Sequence, residues 1–245
     1  LDGKPFDPAK HQIGYMPEER GLYPKKTVSE QLIYLGMLRG LSAKKAKENM
    51  KKWLAKMEVS EYENRKLETL SKGNQQKVQL AQTLITDPKI IILDEPFSGL
   101  DPVNSQILKD VISEQIQQGK LVIFSSHQMS YVEEFCQQIA ILNHGDVVLA
   151  GELKEIKREF GRDRLVVSSL EETPEELAHS LRYTFADLLE VEKVQKDRLI
   201  IRKKASDAKL KILERLVEQD VDLEFFCMYE PSLNDIFVEK AGDEA

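Results

Sequence analysis

The sequence predicts an α/β protein built on a parallel sheet and followed by a smaller α+β unit. Three observations carry that prediction. Ile90-Ile91-Ile92-Leu93 and Leu121-Val122-Ile123-Phe124 are continuous apolar runs, the pattern of strands covered on both faces. Stretches of helical period flank them: Val78, Ala81, Leu84 and Ile85 before the first run, and Ile107, Leu108, Val111, Ile112 and Ile116 between the two. Beyond Lys154–Arg164 the charge balance changes. Residues 1–157 hold 21 basic and 21 acidic residues, whereas 158–245 hold 14 and 21, so the last third carries the whole net charge of -7.

The elements follow in order. Leu1-Asp2-Gly3-Lys4-Pro5 reads as the end of a strand-rich region, with a short apolar Ile13-Gly14-Tyr15-Met16 after it and a Pro/Gly/Glu-rich loop to Pro24. Thr27-Val28-Ser29-Glu30 fits a capping box, in which hydroxyl and carboxylate each satisfy a free backbone N–H, and predicts a helix to about Arg39. Ser42 opens a second helix whose Met50, Trp53, Leu54 and Met57 share one face. Residues 27–66 therefore read as a helical insertion. Asp87-Pro88 ends the Val78–Ile85 helix, and Gly119 closes the next. Asn143-His144-Gly145-Asp146 between Ile139–Leu142 and Val147–Ala150 is a hairpin. A boundary is placed at 157/158. After it come strands at Leu165–Val167, Leu199–Ile201 and Val221–Cys227, with an amphipathic helix over Asp207–Gln219.

Composition excludes several classes. A hydrophobic content of 41% with 31% charged residues supports a core and argues against disorder. No apolar run approaches the ~18 residues of a bilayer span, and no signal-peptide pattern opens the chain. Cys136 and Cys227 stand far apart without a CxxC pairing, which excludes a disulfide framework or zinc site and favours a reducing compartment. A neutral body with an acidic tail argues against nucleic acid as a partner.

Four segments carry chemistry. Asp94-Glu95 follows the first apolar run, at the end of a parallel strand where open α/β sheets bind ligands. One acid there suits a water-bound Mg²⁺ and the next suits an attacking water, although an acidic turn reads equally well. Leu70-Ser71-Lys72-Gly73-Asn74 opens a helix, where free N–H groups and the helix dipole favour phosphate. Taken alone, Ser71 is read as an N-cap. Ser98-Gly99-Leu100-Asp101-Pro102 is a tight turn into a helix, with Asp101 as its cap. Ser125-Ser126-His127 ends the second apolar run. A lone histidine is more often structural, but this one falls at the same sheet edge as Glu95.

In joint order and spacing these segments resemble the ATP-binding-cassette (ABC) family of ATPases over residues 1–157. LSKGN is similar to the family signature, IIILDEP to its Walker B strand, SGLD to the D-loop and SSH to the switch-histidine segment. The resemblance implies a P-loop NTPase domain with a helical subdomain at 27–66 and ATP and Mg²⁺ as cofactors. It implies that Ser71, Gly73 and Asn74 grip the γ-phosphate of ATP held by a second subunit. Asp94 would serve Mg²⁺, Glu95 would be the catalytic base, His127 would contact the γ-phosphate, and Asp101 would lie at the subunit interface. Glu230-Pro231-Ser232-Leu233-Asn234-Asp235-Ile236-Phe237 resembles the close of an accessory domain in bacterial ABC-2-type exporters, and read from the residues alone it is a helix capped by Ser232. The expected partners are a second ATPase subunit and an ABC-2-type membrane permease. The expected location is the cytoplasm, peripheral on the inner face of the membrane.

Three departures qualify the resemblance. Lys72 and Asn74 stand where the signature carries Gly and Gln, and Asn keeps the amide one methylene shorter. Glu18, in Tyr15-Met16-Pro17-Glu18, stands at the position of the family's loop glutamine, where it adds negative charge beside ATP. No G-x-x-x-x-G-K-[ST] occurs: Gly3-Lys4 is followed by Pro5, and Gly119-Lys120 has Glu114 where the loop's first Gly belongs. With Leu1 in place of an initiator Met, the economical expectation is an upstream truncation and an inactive isolated chain. The competing classes are a cassette protein acting on the ribosome or DNA and a non-catalytic binding module. Neither a basic linker nor heptad arms favour the first, and the intact Asp94, Glu95 and His127 weigh against the second.

Overall fold

The computed structural model describes residues 5–8, 11–19 and 21–242. Leu1-Asp2-Gly3-Lys4, read above as a strand end, lie outside the described residues. The chain divides into two compact units, Leu1–Gln128 and Met129–Ala245.

The first unit runs β1 (Ile13–Met16), α1 (Val28–Leu38), α2 (Ala43–Lys56), α3 (Lys72–Leu84), β2 (Ile90–Asp94), α4 (Pro102–Gln117) and β3 (Leu121–Ser125). The strands form a parallel sheet in the order β1-β2-β3, with Ile13 opposite Ile90 and Ile90 opposite Leu121. One face is packed: Met16, Ile91 and Leu93 are buried, and Gly14 lies so close to α3 that an added Cβ would stand 2.7 Å from the Thr83 carbonyl oxygen. The other face is barer than the apolar runs imply. Leu121 is 46% and Ile123 51% exposed, and β3 alternates between exposed and half-buried residues. The expectation of strands covered on both faces is corrected here for β3. An unbroken apolar run reads as two-sided burial, but the described residues cover only one side of this edge strand.

The helical insertion forms as its caps dictate. Thr27 Oγ1 accepts from the Glu30 amide and Glu30 Oε2 accepts from the Thr27 amide, completing the capping box of α1. Ser42 caps α2, which buries Met50, Trp53 and Leu54, with Met57 buried at its C-cap. Each such side chain contributes about 1.5–3 kcal/mol of burial. The two ends of the insertion meet: Thr27 bridges Lys66, and the Val28 amide donates to the Arg65 carbonyl at 3.0 Å.

The second unit runs α5 (Met129–Phe135), β4 (Gln138–Asn143), β5 (Asp146–Glu152), α6 (Leu153–Phe160), β6 (Arg164–Ser169), α7 (Pro174–Thr184), β7 (Leu189–Val194), β8 (Leu199–Lys203), α8 (Ala208–Glu218), β9 (Leu223–Met228) and α9 (Leu233–Gly242). β4 and β5 form the hairpin, and His144 (φ 47°) and Gly145 (φ 91°) supply the two positive φ angles of a tight turn. β7-β8-β6-β9 is an antiparallel sheet whose Leu165, Val167, Leu199 and Ile201 pack with Leu177, Leu181, Ile212 and Leu216 of α7 and α8. α9 buries Leu233 and Ile236 against Ile139, Ile141, Leu153 and Ile156, and Ser232 caps it. The position 157/158, where charge density changes, falls inside α6. Lys154, Glu155, Arg158 and Glu159 are the solvated side of an amphipathic helix whose Leu153 and Ile156 are buried.

Candidate functional site

The acid pair sits at the carboxyl end of β2. Asp94 lies directly across from Ser125 in the parallel register, and Ser125 Oγ is 2.6 Å from Asp94 Oδ1. The same Oγ is 3.2 Å from the Glu95 amide, which donates to it. Glu95 adopts φ 46°, a left-handed conformation unfavourable for a residue with a Cβ and kept only where surrounding bonds over-determine it. Those bonds are present at all three of its polar groups. Its amide reaches Ser125, its carbonyl accepts from Gln76 Nε2 at 3.4 Å, and its Oε1 accepts from the His127 amide at 2.8 Å. His127 Nδ1 stands 2.8 Å from the same Oε1, so Nδ1 carries the proton whenever that contact is a hydrogen bond. The Glu95 side chain is 15% exposed and the His127 side chain 69%. One carboxylate is thus held inside the rim by a ring that reaches solvent.

α3 begins with Ser71, whose Oγ accepts from the Asn74 amide at 3.3 Å. The N-cap reading is therefore observed, and Ser71 is exposed at the helix tip. Gly73 is half-buried for a packing reason: an added Cβ would stand 2.9 Å from Asn104 Nδ2. Asn104 in turn belongs to Asp101, which caps α4 by accepting from the Asn104 amide at 3.0 Å and from Nδ2 as well. These bonds, the backbone one foremost, hold the Asp101 carboxyl below its ordinary range.

Two glutamines tie α3 to the neighbouring loops. Gln76 Nε2 donates to the Pro96 carbonyl at 2.8 Å, and Gln79 Nε2 to the Pro17 carbonyl, beside Glu18, at 2.7 Å. Asp94, Glu95 and His127 are thus brought together, and Gly73 meets Asp101 through Asn104. Among the described residues no hydrogen bond or ion pair joins Ser71, Asn74 or the exposed Glu18 to the acid pair. Sequence reasoning gave no role to Ser125, Gln76, Gln79 or Asn104. Ser125 was discoverable only from strand register, whereas the i, i+3 spacing of the two glutamines placed them on one helix face.

A family model described as ABC transporter matches residues 1–98, and one described as the C-terminal domain of DrrA1-3-like ATP-binding proteins matches 151–241. An uncharacterized ABC transporter ATP-binding protein of Alkalihalophilus pseudofirmus is 45% identical over 231 residues, 94% of this chain and 83% of that protein. A solved ATP binding subunit of an ABC transporter superposes with a TM-score of 0.56 at 32% identity, covering 61% of this chain and 62% of the other. A dimeric ATP-binding cassette in a post-hydrolysis state, bound to ADP and Pi, gives 0.54 at 25% identity over 59% and 64%. The fold is that of an ABC ATPase domain with an appended antiparallel α+β domain. The chain belongs to the family of ABC transporter ATP-binding proteins.

Proposed function

We propose that this chain is the ATP-hydrolysing subunit of a bacterial ABC exporter, working as a head-to-tail pair whose closure on two ATP molecules drives an ABC-2-type membrane permease. The observation that carries the reading is the Asp94–Ser125–Glu95–His127 cluster at the carboxyl edge of the sheet. The match of residues 151–241 to a DrrA1-3-like domain supports the exporter branch. No described helix is long and apolar enough to cross a membrane, so the reading assigns membrane association to the permease. The contact for the permease is the 27–66 insertion, where α1 exposes Tyr34, Met37 and Leu38.

The donor set fits Mg²⁺. Asp94 keeps one oxygen without a hydrogen-bond partner among the described residues. No group of three or more His, Cys, Asp or Glu that could hold a metal is found among them either. One carboxylate, with waters and phosphate oxygens completing the shell, is how Mg²⁺ is usually held. The ion would neutralise charge developing on the phosphates. Glu95 is the catalytic base: with Oε1 occupied by His127, Oε2 is the acceptor for a proton of the attacking water. His127 fixes that carboxylate and offers its ring to the terminal phosphate. The α3 N-terminus presents Ser71 and the Gly73 amide to a phosphate held by the second subunit, where dipole and free N–H groups favour an anion. Asn74, whose amide is capped by Ser71 Oγ, stands in the same turn beside that phosphate, Asp101 lies at the subunit interface, and Glu18 would accept from a water on the metal.

The phosphate-cradling G-x-x-x-x-G-K-[ST] loop does not occur in this sequence. The chain by itself therefore shows no Mg²⁺-dependent turnover, whereas a fusion that supplies such a segment hydrolyses ATP. Glu95→Gln in the fusion abolishes turnover but leaves ATP-bound dimers, read by light scattering. Turnover by the unfused chain, or undiminished turnover in the Gln variant, refutes the assignment.

A further inference from the structure

Resting on that reading, we infer that Ser125 is a positioning residue that sets both acids of the site with one hydroxyl. A serine hydroxyl has one proton to give and lone pairs to accept with. An ionised carboxylate only accepts and a backbone N–H only donates, so the direction of both bonds is fixed. The hydroxyl proton goes to Asp94 Oδ1 at 2.6 Å, and the oxygen receives the Glu95 N–H at 3.2 Å.

Two consequences follow from that single group. Asp94 has Oδ1 tied down and Oδ2 left for a cation, as a single-oxygen ligand with a fixed carboxylate plane. Glu95 has its amide pinned at the residue that must hold φ 46°, and that backbone bend places its carboxylate on the His127 amide. Ser125 itself is exposed at the end of β3 and carries no core packing. Its side chain makes no other hydrogen bond among the described residues. A serine serving only to end a strand would have no need of both partners. Hydrogen-bonded supports of metal-ligating carboxylates commonly change metal affinity about 10–100-fold when removed.

The test compares the full chain with Ser125→Ala and Ser125→Thr, the latter keeping the hydroxyl and adding a methyl that an exposed strand end accepts. Backbone amide NMR gives the first readout: hydrogen exchange at Glu95 rises about fivefold in S125A, as loss of one amide bond predicts, and returns in S125T. The second uses Mn²⁺ alone. Paramagnetic broadening at the Asp94 and Glu95 amides requires about tenfold more Mn²⁺ in S125A than in the unsubstituted chain, and S125T restores the original response. Unshifted resonances over α1 and α2, which belong to the same unit as Ser125, report that the variants are folded. Equal exchange and equal broadening in S125A, or failure of S125T to restore either, overturns the role of Ser125 while leaving Asp94 as a metal ligand. Absence of broadening at Asp94 in the unsubstituted chain removes the metal reading and the inference together.

Discussion

Gly73→Ala tests whether a glycine at the start of α3 is required by packing within its own unit. The added Cβ would lie 2.9 Å from Asn104 Nδ2, 3.2 Å from Asn104 Cγ and 3.5 Å from Leu100 Cδ2. An asparagine amide could swing away at little cost if it were free. Here it is held by Asp101 through both its side chain and its backbone amide. Displacing it costs about 1–3 kcal/mol of overpacking and one exposed charge-assisted hydrogen bond, and the better helix propensity of Ala returns at most about 1 kcal/mol. The expected net loss is about 1 kcal/mol. Trp53, the single tryptophan and a core residue of the same unit, reports its urea unfolding by fluorescence. The decisive comparison is a double-mutant cycle. In an Asn104→Ala background Gly73→Ala should become nearly neutral, giving a coupling of about 1 kcal/mol. Strict additivity, or stabilisation by Gly73→Ala alone, would refute the packing argument.

Other outcomes follow from the same contacts. Asp101 has its carboxyl depressed below the ordinary 3.8 by the Asn104 backbone and side-chain bonds. Its contribution is therefore present above that value and lost as pH falls through the lower folded one; the stability difference between the chain and Asp101→Asn should shrink on acidification below about pH 4, read by Trp53 fluorescence in urea. Gly161→Ala should destabilise the second unit by about 3 kcal/mol or more, because the new Cβ would stand 2.1 Å from the Tyr229 carbonyl oxygen, a backbone atom unable to rotate aside. Far-UV circular dichroism in urea checks it. Arg164 joins Glu192 at 2.9 Å and Glu239 at 3.3 Å with its side chain 12% exposed. Arg164→Ala should cost about 1–3 kcal/mol, measured as faster amide exchange in β6 and β8, and Lys should rescue poorly since it cannot bridge both carboxylates.

Much of the fold was legible because local chemistry and tertiary packing agree. Thr27, Ser42 and Ser232 cap helices where their sequence context says they should. Asn143–Asp146 turns a hairpin, and Met50, Trp53, Leu54 and Met57 fall on one buried side. α7 went unread although Thr173-Pro174-Glu175-Glu176 carries a full capping box with Pro at the first turn. β7, with alternating Leu189, Val191 and Glu190, Glu192, also showed its period. The one-sided exposure of β3 was not legible, since an apolar run does not reveal what lies on each face. At the site, Asp94, Glu95 and His127 could be named from their place after apolar strands. The partnership of Ser125 with both acids could not, because it depends on β2 and β3 pairing in one particular register. Asn104 was hidden for a similar reason: only the approach of two helix tips gives its amide a neighbour at Gly73.

The amide bonds of Gln76 and Gln79 give α3 a mechanical character. A rod fastened at two points one turn apart cannot be tilted at its tip without dragging its moorings. The moorings here are the peptide that follows Pro96 and the peptide that precedes Glu18. A displacement of the Ser71 tip would have to stretch these two bonds before α3 could tilt away from either loop.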